Sequence, residues 1–349
     1  MHKRSSLLLI SAALWTSAIG TAYGSGNPSV PIQLDGTPMP FSGRVMNDQT
    51  FVPLRDISEQ LNFSVKWDEP SQSITLVKGS KEILLHIGKA DVSVNGHDLF
   101  LNSTPEIIDD RTFVPLRFIA ENLGTEVKWQ PNTRTVALRS IPESPILISN
   151  QKEQSDDSDV SIKIQYPQLD GLADPTVQTK INRILKERVD SFKKNNIGTL
   201  RESLVELRDA GAKNMTMAID CNYEVKYNQH GLISFFFRDY IYSGGAHGMT
   251  YASSITVSTT NGKVYSLPDL FQDDSYIPLI NRDVSQYFTE QINQPLSGFT
   301  SIPRDQNFYL SPEGLVVYFQ LYEYTPYVYG FPEVVIPYSD LDSLMTIHL

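Results

Sequence analysis

The sequence predicts an α+β fold in two modules: a small stalk-like domain built from two similar copies, and a larger domain with an antiparallel sheet. Three observations carry this. The chain repeats itself at an offset of 62 residues within its first half. A polar, acidic tract then erases every hydrophobic period. Beyond it, helical periodicity gives way to strand periodicity between Gly and Asn turns.

At 349 residues with 40% apolar and 20% charged side chains, the chain can bury more than one core. The 29 Lys and Arg against 40 Asp and Glu leave a net charge of −11, which argues against general nucleic-acid binding and against broad attachment to anionic lipid. A single cysteine, Cys221, excludes internal disulfides and multi-cysteine metal centres.

Residues 1–24 read as a secretory signal peptide. His2, Lys3 and Arg4 precede an apolar stretch from Leu7 to Ile19, and Ala22-Tyr23-Gly24 offers small residues for cleavage. Ser11, Thr16, Ser17 and Gly20 interrupt the run before the roughly 20 apolar residues a membrane span needs. The mature chain is expected to have no transmembrane segment. Export without disulfides fits the exterior of a Gram-positive bacterium, with the protein secreted or held at the cell surface.

Residues 31–140 form the repeated module. Phe51-Val52-Pro53-Leu54-Arg55 recurs as Phe113-Val114-Pro115-Leu116-Arg117, and Val65-Lys66-Trp67 as Val127-Lys128-Trp129. Asp48 and Thr50 recur as Asp110 and Thr112. In each copy proline is placed for a first helical turn, and Leu54, Ile57 and Leu61 share one helical face. Val65 and Trp67 alternate as a strand, with a turn at 68–72 and a partner strand at Ile74 and Leu76. Between the copies, Ile83–Ile87 and Val92–Val94 are short strands, and Asn95-Gly96 is a hairpin turn.

The paired Phe-Val-Pro-Leu-Arg and Val-Lys-Trp segments resemble the copper amine oxidase N-terminal-like domain of secreted Gram-positive proteins. That resemblance implies a non-catalytic spacer or surface-binding module. Asn222-Tyr223-Glu224 has the form from which amine oxidases make a quinone, but the six histidines include no His-x-His pair to hold copper. No cofactor is expected, and Tyr223 is read as a strand residue.

Residues 141–159 carry Pro142, Pro145 and a run of polar residues ending in acids, and read as an exposed, extended linker. The spacing lacks the central Gly and distal Glu of a calcium loop. Residues 160–349 form the second module. Asp174-Pro175 opens a helix through Phe192, and a second amphipathic stretch covers Leu200–Ala210, stopping at Gly211. Strands follow at Met215–Lys226, Leu232–Tyr242, Ser254–Ser258 and Val264–Leu267, then a helix over 276–292, then strands at Asn307–Leu310 and Leu315–Leu321. Cys221 is expected buried in its strand.

Tyr242-Ser243-Gly244-Gly245-Ala246-His247-Gly248, Ser266-Leu267-Pro268-Asp269-Leu270-Phe271 and Gly314-Leu315-Val316-Val317-Tyr318-Phe319 occur in the order seen in the RsiV-like and PdaC-like extracellular domains, as does Ile336-Pro337-Tyr338. This resemblance implies a cell-envelope domain that in some members binds lysozyme. Regulatory signalling and peptidoglycan deacetylation do not carry over, since the sequence shows neither a sigma-binding segment nor a metal-binding deacetylase set.

Gly244, Gly245, His247, Tyr322, Tyr324, Tyr327 and Tyr329 are the candidate ligand-binding residues. His247 is either a general base oriented by Asp239 or Glu323, or a histidine that fixes a tight loop. The tyrosines are either sheet core or an exposed platform. The expected protein is a non-enzymatic envelope protein with a stalk-like module and a module that binds a lysozyme-like protein or cell-wall glycan. The alternatives are a wall hydrolase centred on His247, and a structural spacer.

Overall fold

The computed structural model describes residues 29–349 apart from 80, 102, 145, 157, 158, 213, 214, 293, 294 and 348. The signal segment and part of the acidic tract lie outside the described residues. The chain is α+β, and its contacts divide it into two compact units between Glu143 and Ser144.

The first unit runs β1 (Ser29–Leu34), β2 (Thr37–Met46), β3 (Gln49–Pro53), α1 (Leu54–Gln60), β4 (Ser64–Asp68) and β5 (Ser73–Lys78). It continues through β6 (Lys81–His86), β7 (Asp91–Val94), β8 (His97–Phe100), β9 (Glu106–Ile108), β10 (Arg111–Pro115), α2 (Leu116–Asn122), β11 (Thr125–Gln130) and β12 (Thr135–Ser140). Strands β4 to β8 form a five-stranded meander, and the others form a seven-stranded sheet in the order β11-β12-β1-β2-β3-β10-β9.

The repeat becomes a symmetry at the centre of the larger sheet. Strands β3 and β10 pair antiparallel with Val52 opposite Val114, positions 62 apart in sequence, so a local two-fold axis passes through that pair. Backbone geometry repeats with it. Left-handed φ angles near 50–60° occur at Asn47 and Asp48 and again at Asp109 and Asp110, and Gln72 is matched by Arg134. Asn62 (φ 61°) is matched by Gly124 (φ 84°) just past the helix. Pro53 and Pro115 stand one residue earlier than expected, at the helix N-cap, where they close the strand. Leu54, Ile57 and Leu61 and their equivalents Leu116, Ile119 and Leu123 are all buried, as the spacing predicts. Asn62→Gly is expected to stabilise this unit by about 0.5 kcal/mol by relieving the left-handed conformation, measured by urea unfolding.

The second unit runs β13 (Leu147–Asp156), β14 (Val160–Asp170), α3 (Pro175–Asp209), β15 (Met217–Gln229), β16 (Leu232–Tyr242), β17 (Met249–Ser258) and β18 (Val264–Tyr265). Then come α4 (Tyr276–Gln291), β19 (Phe308–Ser311), β20 (Gly314–Tyr318), β21 (Glu333–Ile336) and α5 (Tyr338–Leu341). Strands β13 to β18 form a six-stranded sheet in chain order, antiparallel except for β14 with β15, and β19 to β21 form a separate antiparallel sheet. Helix α3 packs Ile181, Leu185, Val189 and Leu204 against Cys221, Tyr223, Phe235 and Phe237 on one face of the large sheet. On the other face Phe236 and Ala252 meet Tyr309, Val316 and Tyr318 of the small sheet. Coverage of both faces explains why Leu232 to Phe237 is buried without alternation.

The structure corrects two expectations here. The 141–159 segment is not an extended linker throughout, because Leu147–Asp156 is an edge strand paired residue for residue with β14. Its polar side chains suit an edge, and Glu153 is held by Lys186 and Lys193 of α3. The two expected helices are one 35-residue helix, capped by Asp174, whose Oδ1 accepts the Thr176 N–H at 2.8 Å. Gly198 sits inside it, because Leu200 and Leu204 continue the buried face. Strands β14 and β21 were not foreseen.

The Ser266–Phe271 motif is a capped 3-10 turn. Asp269 accepts from the Ser266 hydroxyl and backbone N–H, and these bonds, with Lys263 beside it, hold its carboxyl down to about 2. A carboxyl depressed in the folded state adds stability above its unfolded value near 4 and loses it as pH falls through about 2. Asp269→Asn is therefore expected to flatten the acid limb of the stability curve over that window, measured by urea unfolding at stepped pH.

Candidate functional site

The candidate residues lie on two loops of the second unit. The first, 243–248, joins β16 to β17. Gly244 and Gly245 take φ angles of 96° and 92°, which side chains rarely adopt. A Cβ on Gly248 would stand 2.5 Å from the Ile241 carbonyl oxygen, so this position admits only glycine without a shift. The Tyr242 hydroxyl donates to the Gly245 carbonyl at 3.0 Å, and His247 Nδ1 donates to the Gly248 carbonyl at 2.9 Å. The histidine ring is thereby fixed and left exposed.

The second loop follows β20. Gln320 ties it to β17 by using its side-chain amide as a strand would: Nε2 donates to the Ala252 carbonyl at 2.9 Å, and Oε1 accepts the Ala252 N–H at 3.0 Å. The Gln320 N–H donates to Glu323. Tyr322 is forced to φ 63°, a strained conformation for an aromatic residue. Tyr327–Tyr329 makes a single 3-10 turn, ended by Gly330 at φ 67° and ψ −149°.

These loops bring His247, Tyr327 and Tyr322 into one strip. The His247 and Tyr327 rings are 6.2 Å apart and the Tyr327 and Tyr322 rings 5.8 Å, with a tilt of 34° in each pair. Tyr322 is 43% exposed, Tyr327 40% and the neighbouring Val328 66%. Leu296, 54% exposed, is joined to the same loop by its N–H, which donates to the Tyr324 carbonyl at 2.7 Å. Val328 and Leu296 were missed by sequence reasoning; neither carries a motif.

Other candidates are placed elsewhere. Tyr324 packs against Phe288, Phe299 and Phe319, and Tyr329 leans on the same core, so neither belongs to an exposed platform. Asp239 pairs with Arg188 at 2.5 Å, and Glu323 is taken by Gln320, so neither carboxylate orients His247. Cys221 is buried, and burial pushes its thiol up from the ordinary range, away from the reactive thiolate. Tyr223 is a buried strand residue whose hydroxyl is likewise pushed up by burial.

Comparison with known proteins gives three family matches in chain order. Residues 33–138 match the copper amine oxidase N-terminal domain, 153–250 match deacetylase PdaC, and 268–339 match a protein family of unknown function, DUF3298. The anti-sigma-V factor RsiV of Bacillus subtilis (strain 168) is 26% identical, over 56% of this chain and 68% of its own. A protease inhibitor of Brevibacillus choshinensis is 28% identical over 27% of this chain, which spans only 29% of that protein's length. Among solved structures, a DUF3298 family member from Bacteroides fragilis NCTC 9343 has a TM-score of 0.44 at 17% identity, covering 57% of this chain and 94% of that one. Another, from Pseudomonas aeruginosa PAO1, has a TM-score of 0.38 at 17% identity, covering 59% and 95%. The chain thus joins a unit similar to the copper amine oxidase N-terminal domain to a unit similar to the PdaC and DUF3298 families and to RsiV.

Proposed function

We propose that this is a non-enzymatic protein of the bacterial cell envelope whose second unit binds a basic, lysozyme-like protein through the His247–Tyr327–Tyr322 strip. The observation that carries the reading is the strip itself. Three aromatic rings are held in contact at the surface, one of them on strained backbone, with exposed Val328 next to Tyr327 in the chain. Strain kept in an exposed loop is a mark of a working surface, and tyrosine is enriched among the residues that dominate protein–protein affinity. A chain with net charge −11 would attract a basic partner over distance. Similarity to an anti-sigma factor and to a protease inhibitor supports a binding role. The first unit then acts as a spacer, and export places both at or beyond the cell surface.

The test is calorimetric titration of the full chain with lysozyme at low and raised salt. Saturable binding, weakened by salt, is expected, and Tyr327→Ala is expected to weaken it about thirtyfold, near 2 kcal/mol. Absence of heat together with absence of co-elution would overturn the choice of lysozyme. Binding that Tyr327→Ala leaves unchanged would overturn the site.

A further inference from the structure

In the first unit, the equivalent residues Trp67 and Trp129 are each 42% exposed. Their surroundings break the symmetry. Trp67 borders a groove of about 190 Å³ at the junction of the two copies, floored by Leu54 and Ile74 and walled by Arg55, Asp56, Asp110 and Arg111. Arg111 of one copy is ion-paired with Asp56 of the other, while Arg55 is exposed and carries no ion pair among the described residues. In the other copy Asp56 is replaced by Phe118, which packs on the core, and Arg111 by Gln49. Arg117, the equivalent of Arg55, is occupied by Glu121 at 3.1 Å. Trp129 borders a groove of its own, of about 300 Å³, but the two cations there, Lys128 and Arg139, are both paired with Glu126 at 2.7 Å, so among the described residues only the Trp67 groove offers a guanidinium free of an ion pair.

We propose that this groove binds an acidic saccharide, a pyranose ring bearing a carboxylate. The indole offers a flat apolar face of the size of a sugar ring, against which the axial C–H groups of a pyranose stack. The planar, always-charged guanidinium of Arg55 suits a carboxylate at the ring's edge, and Arg111 and Asp56, already paired, supply polar groups for hydroxyls. The proposal is independent of the aromatic strip of the second unit and does not use its residues.

The probe is the disaccharide of N-acetylglucosamine and N-acetylmuramic acid, titrated into the full chain by calorimetry and compared with neutral chitobiose. Saturable binding of the acidic disaccharide, at least fivefold tighter than chitobiose, is expected. Trp67→Ala is expected to weaken it about tenfold, while Trp129→Ala stays within about twofold. Arg55→Gln, an exposed substitution that leaves the fold intact, is expected to abolish the preference for the acidic sugar. The proposal is overturned if the disaccharide does not saturate the wild-type chain. It is equally overturned if Trp129→Ala weakens binding as much as Trp67→Ala, or if Arg55→Gln leaves the acidic preference in place.

Discussion

Asp239→Ala is expected to destabilise the second unit by about 3–5 kcal/mol. The Arg188–Asp239 pair joins α3 to β16 with its two side chains only 15% and 13% exposed. The Arg188 guanidinium also donates to Ser253 at 2.7 Å and lies 3.9 Å above the Phe237 ring. Removing the carboxylate leaves this cation buried with no countercharge, and desolvation of an unpaired ion costs far more than the pair itself contributes. Thermal unfolding should show the transition of this unit falling by on the order of 10 °C, with the transition of the first unit unmoved. The double variant Arg188→Met with Asp239→Leu removes both charges and is expected to lie within about 2 kcal/mol of wild type. If the double variant is as unstable as Asp239→Ala, the loss comes from packing and the electrostatic account fails.

Phe236→Ala is expected to cost about 3–5 kcal/mol by leaving a cavity between the two sheets of the same unit. Phe236 is fully buried, and its ring meets Tyr318 at 5.0 Å, Tyr309 at 5.4 Å and Phe331 at 6.2 Å. Phe331 immediately follows the loop that carries Tyr322 and Tyr327, so this contact anchors the far end of the strip. Partner binding should therefore weaken in Phe236→Ala even at temperatures where circular dichroism shows the unit folded. Unchanged binding with lowered stability would separate the strip from its proposed anchor.

Much of the first unit was legible because its signals are local and stated twice. The buried Leu54, Ile57 and Leu61 set one helix, and their equivalents set the other. Asn95-Gly96, with φ angles of 49° and 76°, makes its hairpin from the residue types alone. Strand β13 was illegible because an edge strand needs no buried stripe: backbone pairing to β14 and the lysines of α3 hold it, and neither is local in sequence. The long helix was misread at Asn195-Asn196-Ile197-Gly198. An interior glycine costs about 1 kcal/mol, which burial of Leu200 and Leu204 outweighs.

The aromatic strip was half legible. Glycines flanked by Tyr242 and His247 marked a special loop, and the tyrosine-rich stretch marked a second. Which tyrosines face outward depends on the path of the chain after β20. That path is set by the Gln320 bonds to Ala252, a contact across 68 residues with no sequence signature. Tyr324 and Tyr327 read alike in sequence, and only the chain path sends one inward and the other out.

The axis through Val52 and Val114 has a consequence for how such a unit can change in length. Each copy gives the central sheet a strand whose partner is its own counterpart, so one copy alone presents that strand as a bare, adhesive edge. Loss of a copy would thus expose a sticky monomer, whereas gain or loss of both together leaves no open edge at the centre. Descendants of this chain should lengthen or shorten by whole pairs.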